Sequence, residues 1–154
     1  MGAITVVPIG SVVGGRDEPV DDEWDEVRAR IEFDPTVLEP TATLGLDSFS
    51  HVEVTFLFDR VDPDSVCVGA RHPRGRTDWP MVGILAQRAK DRPNRIGSTV
   101  CRIVEIGAGW IEVSGLDAID GSPVLDVKPY LRGFAPRGRV VEPAWATELM
   151  AGYW

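Results

Sequence analysis

Apolar and polar residues alternate along several short runs of this chain, and that alternation is the feature that most limits its fold. Val52, Val54 and Phe56 occupy every second position of one run, and residues 27–33 have the same period. Side chains two positions apart lie on the same face of a strand, so both runs predict half-buried strands. Further short apolar runs predict strands at 4–13, 65–70, 81–86, 97–106, 110–116 and 124–127.

Helical signals are few. Residues 143–153 suit a short C-terminal helix with proline in its first turn, and one helical turn is expected at 35–39. The Gly107-Ala108-Gly109 sequence between two strand-like runs is typical of a hairpin. Many short strands with Gly- and Pro-containing turns favour a mainly β fold, an antiparallel or mixed barrel or a sandwich.

Length and composition indicate one domain. The 154 residues with 44% hydrophobic content suffice for one core, which we place in residues 4–130, with a helix and tail at 131–154. No apolar run approaches the roughly 20 residues that span a bilayer, and the start lacks a basic segment, so we expect a cytoplasmic protein. Cys67 and Cys101 lie in β-like apolar runs, which indicates buried thiols rather than a disulfide framework.

The net charge of −8 is unevenly distributed. Residues 1–65 carry 15 acidic and 4 basic side chains, whereas residues 66–102 carry 8 basic and 2 acidic ones. We therefore expect a cationic patch on an acidic body, which suits a phosphate backbone; a solvated basic surface is the alternative.

Two polar segments, 86–98 and 115–130, are the predicted sites of chemistry. Proline fixes φ and glycine frees it, and turns built from them hold polar groups in place. Trp24 lies in an acidic loop, so we expect its side chain either to pack back into the core or to form a stacking wall for an aromatic ligand. His51 has no second His or Cys at metal-ligand spacing, so we expect a hydrogen-bonded structural histidine and no metal site.

Familiar catalytic motifs are absent. The Gly-rich segment 104–110 is followed by a strand-like run rather than a helix, which excludes a dinucleotide-binding turn. The sequence also lacks a Walker phosphate loop, a Cys-x-x-Cys pair, a His-Glu-x-x-His helix and a Gly-x-Ser-x-Gly elbow.

Three segments carry a resemblance to a known family: FSHVEVTFLFDR, GILAQRAKDRPNRIGST and GLDAIDGSPVLDVKPY. Together, over about residues 45–130, they resemble the TsaA-like (TrmO) family of S-adenosylmethionine-dependent tRNA methyltransferases. The resemblance implies a single β-barrel, not a Rossmann sheet, that works as a homodimer. It also implies N6-methylation of threonylcarbamoyl-adenosine beside the anticodon, with the tRNA anticodon loop as partner.

The resemblance also implies the site residues. Those expected to contact S-adenosylmethionine are Trp24, Asp59, Arg60, Arg88, Gly97, Ser98, Asp117, Ala118, Ile119 and Asp120. The substrate-binding residues are expected in the basic loop, at Lys90, Arg92, Asn94 and Arg95. Trp79 or Tyr130 is available for base stacking.

Removal of the N6 proton is assigned by elimination to Asp126, Lys128 and Tyr130, with a structural turn as the alternative role of Asp126. Where the family has Ala-Thr-Arg-Ser-Pro and Arg-Pro-Asn-Pro, this chain carries Gln87, Ala89, Lys90 and Arg95. These departures leave two alternatives open. One is a methyltransferase acting on another RNA or a small molecule, and the other is a non-catalytic barrel that binds S-adenosylmethionine or RNA.

Overall fold

The alternating runs form the strands of a closed antiparallel barrel in the computed structural model, which describes residues 1–154. The strands are β1 (Gly10–Val13), β2 (Arg28–Phe33), β3 (His51–Leu57), β4 (Ala70–Arg71), β5 (Val82–Gly83), β6 (Ile96–Gly107), β7 (Trp110–Ser114) and β8 (Pro123–Pro129). Around the barrel the strand order is β1-β2-β7-β6-β3-β8, and β4 and β5 form a separate two-stranded ribbon. The mainly β fold is confirmed, and its barrel pairings are all antiparallel.

The predicted alternation sets the inside and outside of the barrel. Val52, Val54 and Phe56 on β3 are at most 1% exposed and belong to a core cluster of 12 buried residues. Closing a sheet into a barrel removes its unpaired edges, so the small core is enclosed on every side.

A β-bulge marks the pairing of β3 with β8. Thr55 pairs with Asp126, but Phe56 pairs with Val124, so Leu125 is an additional residue on β8. Because Val54 and Phe56 point inward, Thr55 and its partner Asp126 lie on the outer face. Bulges of this kind redirect side chains near the end of a strand.

Three predicted strands are wrong in extent. The first strand begins at Gly10 rather than at residue 4, after Pro8, which has no backbone N–H to donate to a ladder. The runs at 65–70 and 81–86 contribute only β4 and β5, two residues each, and 3-10 turns occupy Pro63–Ser65 and Ile84–Ala86. Each run contains a glycine, Gly69 or Gly83, and glycine inside a strand weakens it.

The C-terminal helix is confirmed as α1 (Ala144–Met150), with Pro143 as its N-cap residue. The predicted helical turn is also present, since the amide of Leu38 donates to the carbonyl of Asp34 over 3.0 Å. None of the helices has the length and apolar character that crossing a bilayer requires.

The two cysteines differ in exposure. Cys101 is 2% exposed on β6, and burial raises the pKa of its thiol to about 12, with a smaller contribution from the charge of Asp117. Cys67 is only half-buried, and both cysteines are free. The prediction of buried thiols therefore holds for Cys101 and is wrong for Cys67.

This difference predicts selective alkylation. Because the thiolate is the reactive form, iodoacetamide at pH 8 should add one carbamidomethyl group to the native protein, at Cys67. Unfolding in urea should expose the second thiol and give two adducts by intact-mass measurement. Modification of Cys101 in the folded protein would contradict the buried position of that thiol.

Candidate active site

Two adjoining cavities lie at one end of the barrel, where β3 and β7 end and β6 and β8 begin. The first cavity encloses about 800 Å³ and the second about 760 Å³. Both volumes are in the range of small-molecule sites. Six residues line both cavities and form the wall between them: Phe58, Arg74, Arg88, Ala89, Asp117 and Tyr153.

Asp117 is the carboxylate of this shared wall. The hydroxyl of Thr99 donates to its Oδ1 atom, and the hydroxyl of Tyr153 donates to its Oδ2 atom. Burial, together with the adjacent Asp117 charge, raises the pKa of Tyr153, so that its phenol stays protonated and remains a donor. The carboxylate is thereby fixed from two sides.

The backbone beside Asp117 has unused hydrogen-bonding groups. Neither the N–H nor the C=O of Leu116, Asp117 and Ala118 has a hydrogen-bond partner within the chain. Leu116 is fully buried and Ala118 is 2% exposed, while Asp117, Ala118 and Ile119 line the first cavity. Because buried backbone groups are almost always paired, this segment is suited to hydrogen-bond a ligand or ordered water.

Trp24 is buried, which agrees with one of the two roles that its position in the sequence suggested, and its role as a stacking wall for a ligand stays a prediction. Its side chain is 3% exposed, its Nε1 atom donates to the carbonyl of Val20 over 3.0 Å, and it also lines the first cavity. The guanidinium of Arg16 lies 4.6 Å from the ring centre. Trp24 is therefore a rigid wall residue.

Arg60 and Asp120 connect the loop that follows β1 to the barrel end. Arg60 donates to the carbonyls of Asp17 and Asp120 over 2.7 and 3.0 Å, and the Gly14 amide donates to Asp120 Oδ1 over 2.7 Å. Arg60 lines the first cavity, whereas Asp120 lines neither. The geometry gives Asp120 a bracing function within the chain.

The predicted cationic patch is reduced by ion pairs. Carboxylates pair with four of its eight bases: Arg71 with Asp91, Arg74 with Asp22, Arg76 with Asp78 and Arg102 with Asp25. Hydrogen bonds from Arg71 hold the pKa of the Asp91 carboxyl below its usual range. The other four bases of the patch have no carboxylate partner, and they all lie in one loop, at Arg88, Lys90, Arg92 and Arg95.

The structure distributes the basic loop around the cavities. Lys90 lines the first cavity and Arg92 the second, whereas Asn94 and Arg95 line neither. Asn94 and Arg95 have left-handed φ values of 63° and 51°, which form a tight turn before β6. Gly97 and Ser98 follow and line the second cavity.

Gly97 is required by close packing. A Cβ atom there would lie 2.7 Å from Phe56 and 2.8 Å from Phe58. The absence of a side chain thus lets both rings fit at the mouth of the barrel.

The Asp126, Lys128 and Tyr130 group lines neither cavity. Lys128 forms an ion pair with Asp126 on the outer face of β8. Its cross-strand neighbour Glu53 lines the second cavity, so the group borders that cavity without lining it. Its catalytic assignment stays a prediction.

Two stacking and ligand candidates have other roles. Trp79 is 5% exposed, donates from Nε1 to Glu148 over 2.8 Å and is covered by Arg76, so the stacking role predicted for it is wrong. The Nδ1 atom of His51 forms a hydrogen bond of 2.6 Å with the Ser50 hydroxyl. No group of three or more His, Cys, Asp or Glu side chains is arranged to hold a metal ion.

Some wall residues were not identified from the sequence. Arg74 and Tyr153 lie outside the three segments that carry the resemblance, and Thr99 ends one of them but had no predicted role. Tyr153 reaches Asp117 across 36 positions of the chain. The sequence predicted a helix in the C-terminal segment but no contact between Tyr153 and the loops of the site.

Comparisons with known proteins show which proteins this chain is similar to. Residues 16–135 match the model of the tRNA-methyltransferase O N-terminal domain family. The human tRNA (adenine(37)-N6)-methyltransferase is 36% identical over 100 residues, which cover 65% of this chain and 22% of that protein. An S-adenosyl-L-methionine-binding protein of Archaeoglobus fulgidus is 35% identical over 85 residues, or 55% of this chain and 58% of that protein.

A solved structure is also similar. The crystal structure of TrmO from Pseudomonas aeruginosa superposes with a TM-score of 0.72 and 30% identity, covering 90% of this chain and 61% of that one. The chain thus spans about a fifth of the human relative and less than two thirds of the crystallised protein.

Proposed function

This chain belongs to the tRNA-methyltransferase O N-terminal domain family, and from that membership we propose that it transfers a methyl group from S-adenosylmethionine to tRNA. The proposed acceptor is the N6 atom of threonylcarbamoyl-adenosine beside the anticodon. The first cavity binds the methyl donor, and the second receives the acceptor base.

The unpaired backbone from Leu116 to Ala118 is the observation that best supports a nucleoside in the first cavity. An adenine presents one donor and several acceptors on its edges, which match the free C=O and N–H groups of Asp117 and Ala118 at the first cavity. Satisfying these buried groups would recover the free energy that their desolvation costs.

The side chains of the first cavity fit the rest of the donor. Trp24 and Phe58 provide aromatic walls for a purine, and the carboxylates of Asp59 and Asp117 suit ribose hydroxyls and an ammonium group. Arg88 suits a carboxylate, because its planar guanidinium offers paired donors. S-adenosylmethionine supplies an electrophilic methyl group on a sulfonium, so the protein contributes mainly binding and orientation.

Phosphate groups of the anticodon loop are bound, in this proposal, by the basic loop that has no carboxylate partners. Lys90, Arg92 and Arg95 would contact the tRNA backbone, and Asn94 would orient the base. The Asp126, Lys128 and Tyr130 group at the border of the second cavity accepts the N6 proton.

We further propose that the protein works as a homodimer in the cytoplasm, where tRNA is modified. Residues 1–9, before the first barrel strand, and residues 131–143, after the last one, carry exposed apolar side chains, among them Ile4, Val7, Phe134 and Val141. Such side chains are suited to subunit contacts. Light scattering coupled to size-exclusion chromatography measures the mass, and a monomer at micromolar concentration would contradict this.

Mass spectrometry of nucleosides tests the reaction. The protein is incubated with tRNA and methyl-labelled S-adenosylmethionine, and the digested nucleosides are analysed. A labelled threonylcarbamoyl-adenosine peak is the expected result. An unchanged peak with label in another nucleoside would indicate a different acceptor, and donor binding without any transfer would indicate a binding protein.

Replacing Arg88 with alanine is expected to weaken donor binding more than tRNA binding. Arg88 lines both cavities and donates from Nη2 to the Ser98 carbonyl over 2.7 Å, which fixes its guanidinium at the shared wall. A charge-assisted hydrogen bond contributes about 1.5–3 kcal/mol, so donor affinity should fall at least about tenfold in calorimetry.

Arg137→Ala is the matched control, because Arg137 is exposed and lines neither cavity. It should leave donor affinity unchanged. A larger effect of Arg88→Ala on tRNA binding than on donor binding would remove the donor role of Arg88.

A further inference from the structure

The C-terminal segment, residues 144–154, joins three loops that form the cavities. Backbone amides of Glu23 and Trp24 donate to the carbonyls of Gly152 and Tyr153, each over 2.9 Å. The Trp79 indole donates to Glu148 over 2.8 Å. This segment lies outside residues 16–135, which match the family model.

Tyr153 brings this segment into the site. Its ring lines both cavities, and its hydroxyl donates to Oδ2 of Asp117. We infer that Tyr153 is a positioning residue that holds the Asp117 carboxylate in its donor-binding orientation. The inference rests on the proposed function, because it assigns Asp117 to the methyl donor.

Two hydroxyls from different parts of the chain fix the plane of that carboxylate. Thr99 reaches Oδ1 from β6, whereas Tyr153 reaches Oδ2 from the C-terminal segment. With one donor alone, the carboxylate could rotate about its Cβ–Cγ bond, which has a broad torsional preference. The second donor removes that freedom before the ligand binds, and such preorganisation increases affinity.

The hydroxyl is separable from the attachment of the segment. Gly152 and Tyr153 hold the Trp24 loop through backbone carbonyls, and the hydroxyl itself has no partner other than Asp117. Tyr153→Phe therefore keeps the backbone bonds and the ring while it removes the contact to Asp117. A merely structural tyrosine would affect melting rather than ligand affinity.

Thr147→Ala is the matched control within the same segment. It also deletes a hydroxyl, but that hydroxyl donates to the exposed Glu142 over 2.7 Å and faces neither cavity. Calorimetry with S-adenosylmethionine and with its product S-adenosylhomocysteine should show about tenfold weaker binding of both ligands by Tyr153→Phe, the effect of one hydrogen bond. Thr147→Ala should bind like the wild type, and both variants should melt within about 3 °C of it.

A double variant tests whether Tyr153 acts through Asp117. In an Asp117→Asn background, Tyr153→Phe should cause no further loss of affinity, because coupled residues are non-additive. An additive loss, or equal losses in Tyr153→Phe and Thr147→Ala, would overturn the inference. If Tyr153→Phe bound both ligands with wild-type affinity, only the role of Tyr153 would be overturned. If the wild-type protein bound neither ligand, the proposed function would be overturned together with this inference.

Discussion

Asp117→Asn is expected to weaken S-adenosylmethionine binding by about thirtyfold, the largest loss from any single polar substitution in the site. Asparagine keeps the size of the side chain and one oxygen acceptor for Thr99, and its amide can donate to the Tyr153 oxygen in place of the lost acceptor. The fold should therefore persist, and the change is confined to the negative charge at the wall of both cavities. Hydrogen bonds to charged groups contribute about 1.5–3 kcal/mol, equivalent to about ten- to a hundredfold in affinity.

The part of the donor that Asp117 holds is determined by comparing ligands. S-adenosylhomocysteine lacks the sulfonium charge but keeps the ribose and the ammonium group. An equal loss for both ligands in calorimetry indicates a ribose or ammonium contact, whereas a selective loss for S-adenosylmethionine indicates the sulfonium. Asp47→Asn, at an exposed position that lines neither cavity, is the control. Unchanged affinity in Asp117→Asn would show that Asp117 takes no part in donor binding.

The barrel was predictable because its strands have a strong local pattern. The alternation at β2 and β3 fixed which side chains point inward, and the structure places Ile31, Val54 and Phe56 in the core accordingly. The hairpin of β6 and β7 followed from its glycine turn. These features depend on neighbours in the sequence, where period-two patterns are informative.

Strand length was less predictable, since pairing depends on a partner. The apolar runs near Val66 and Ile84 look like strands locally, but the barrel closes without them. They form only the small ribbon of β4 and β5. The buried Gln87 side chain holds this ribbon in place by donating hydrogen bonds to the carbonyls of Arg71 and Val82. No local pattern distinguishes a run that finds a long partner from one that does not.

The candidate site was predictable in part. The Asp117–Asp120 segment was identified from the resemblance. The structure brings its first three residues together with Trp24, Asp59 and Arg88 at the first cavity, whereas Asp120 lines neither cavity. Tyr153 was not identified, because it lies 36 positions from Asp117 in the sequence and the two residues meet only in the folded chain. The bulge in β8 likewise has no clear sequence signal, and it determines that Asp126 faces outward.

Gly10→Ala is expected to cause a large loss of stability. A Cβ atom there would lie 2.3 Å from the carbonyl oxygen of Glu32 and 3.0 Å from the Cα atom of Phe33. Both are backbone atoms of β2, which cannot rotate away as a side chain could. Since overpacking a tight site costs about 1–3 kcal/mol or occasionally more, we expect about 3 kcal/mol and a melting temperature about 10 °C lower.

The effect should extend to the site because β1 closes the barrel. Gly10 pairs with Phe33 on β2 and with Val124 on β8, so displacement of β1 opens both seams. The loop after β1 carries Trp24, and its Gly14 amide bonds to Asp120, so weaker donor binding should accompany the lower melting temperature. Gly133→Ala, where a Cβ atom would meet nothing within 4 Å, is the matched control for the melting measurement. If Gly10→Ala had the same melting temperature as the control, β1 would shift without loss of stability. If Gly10→Ala had a lower melting temperature but normal donor affinity, the pairing of β1 with β2 and β8 would stabilise the barrel independently of the first cavity.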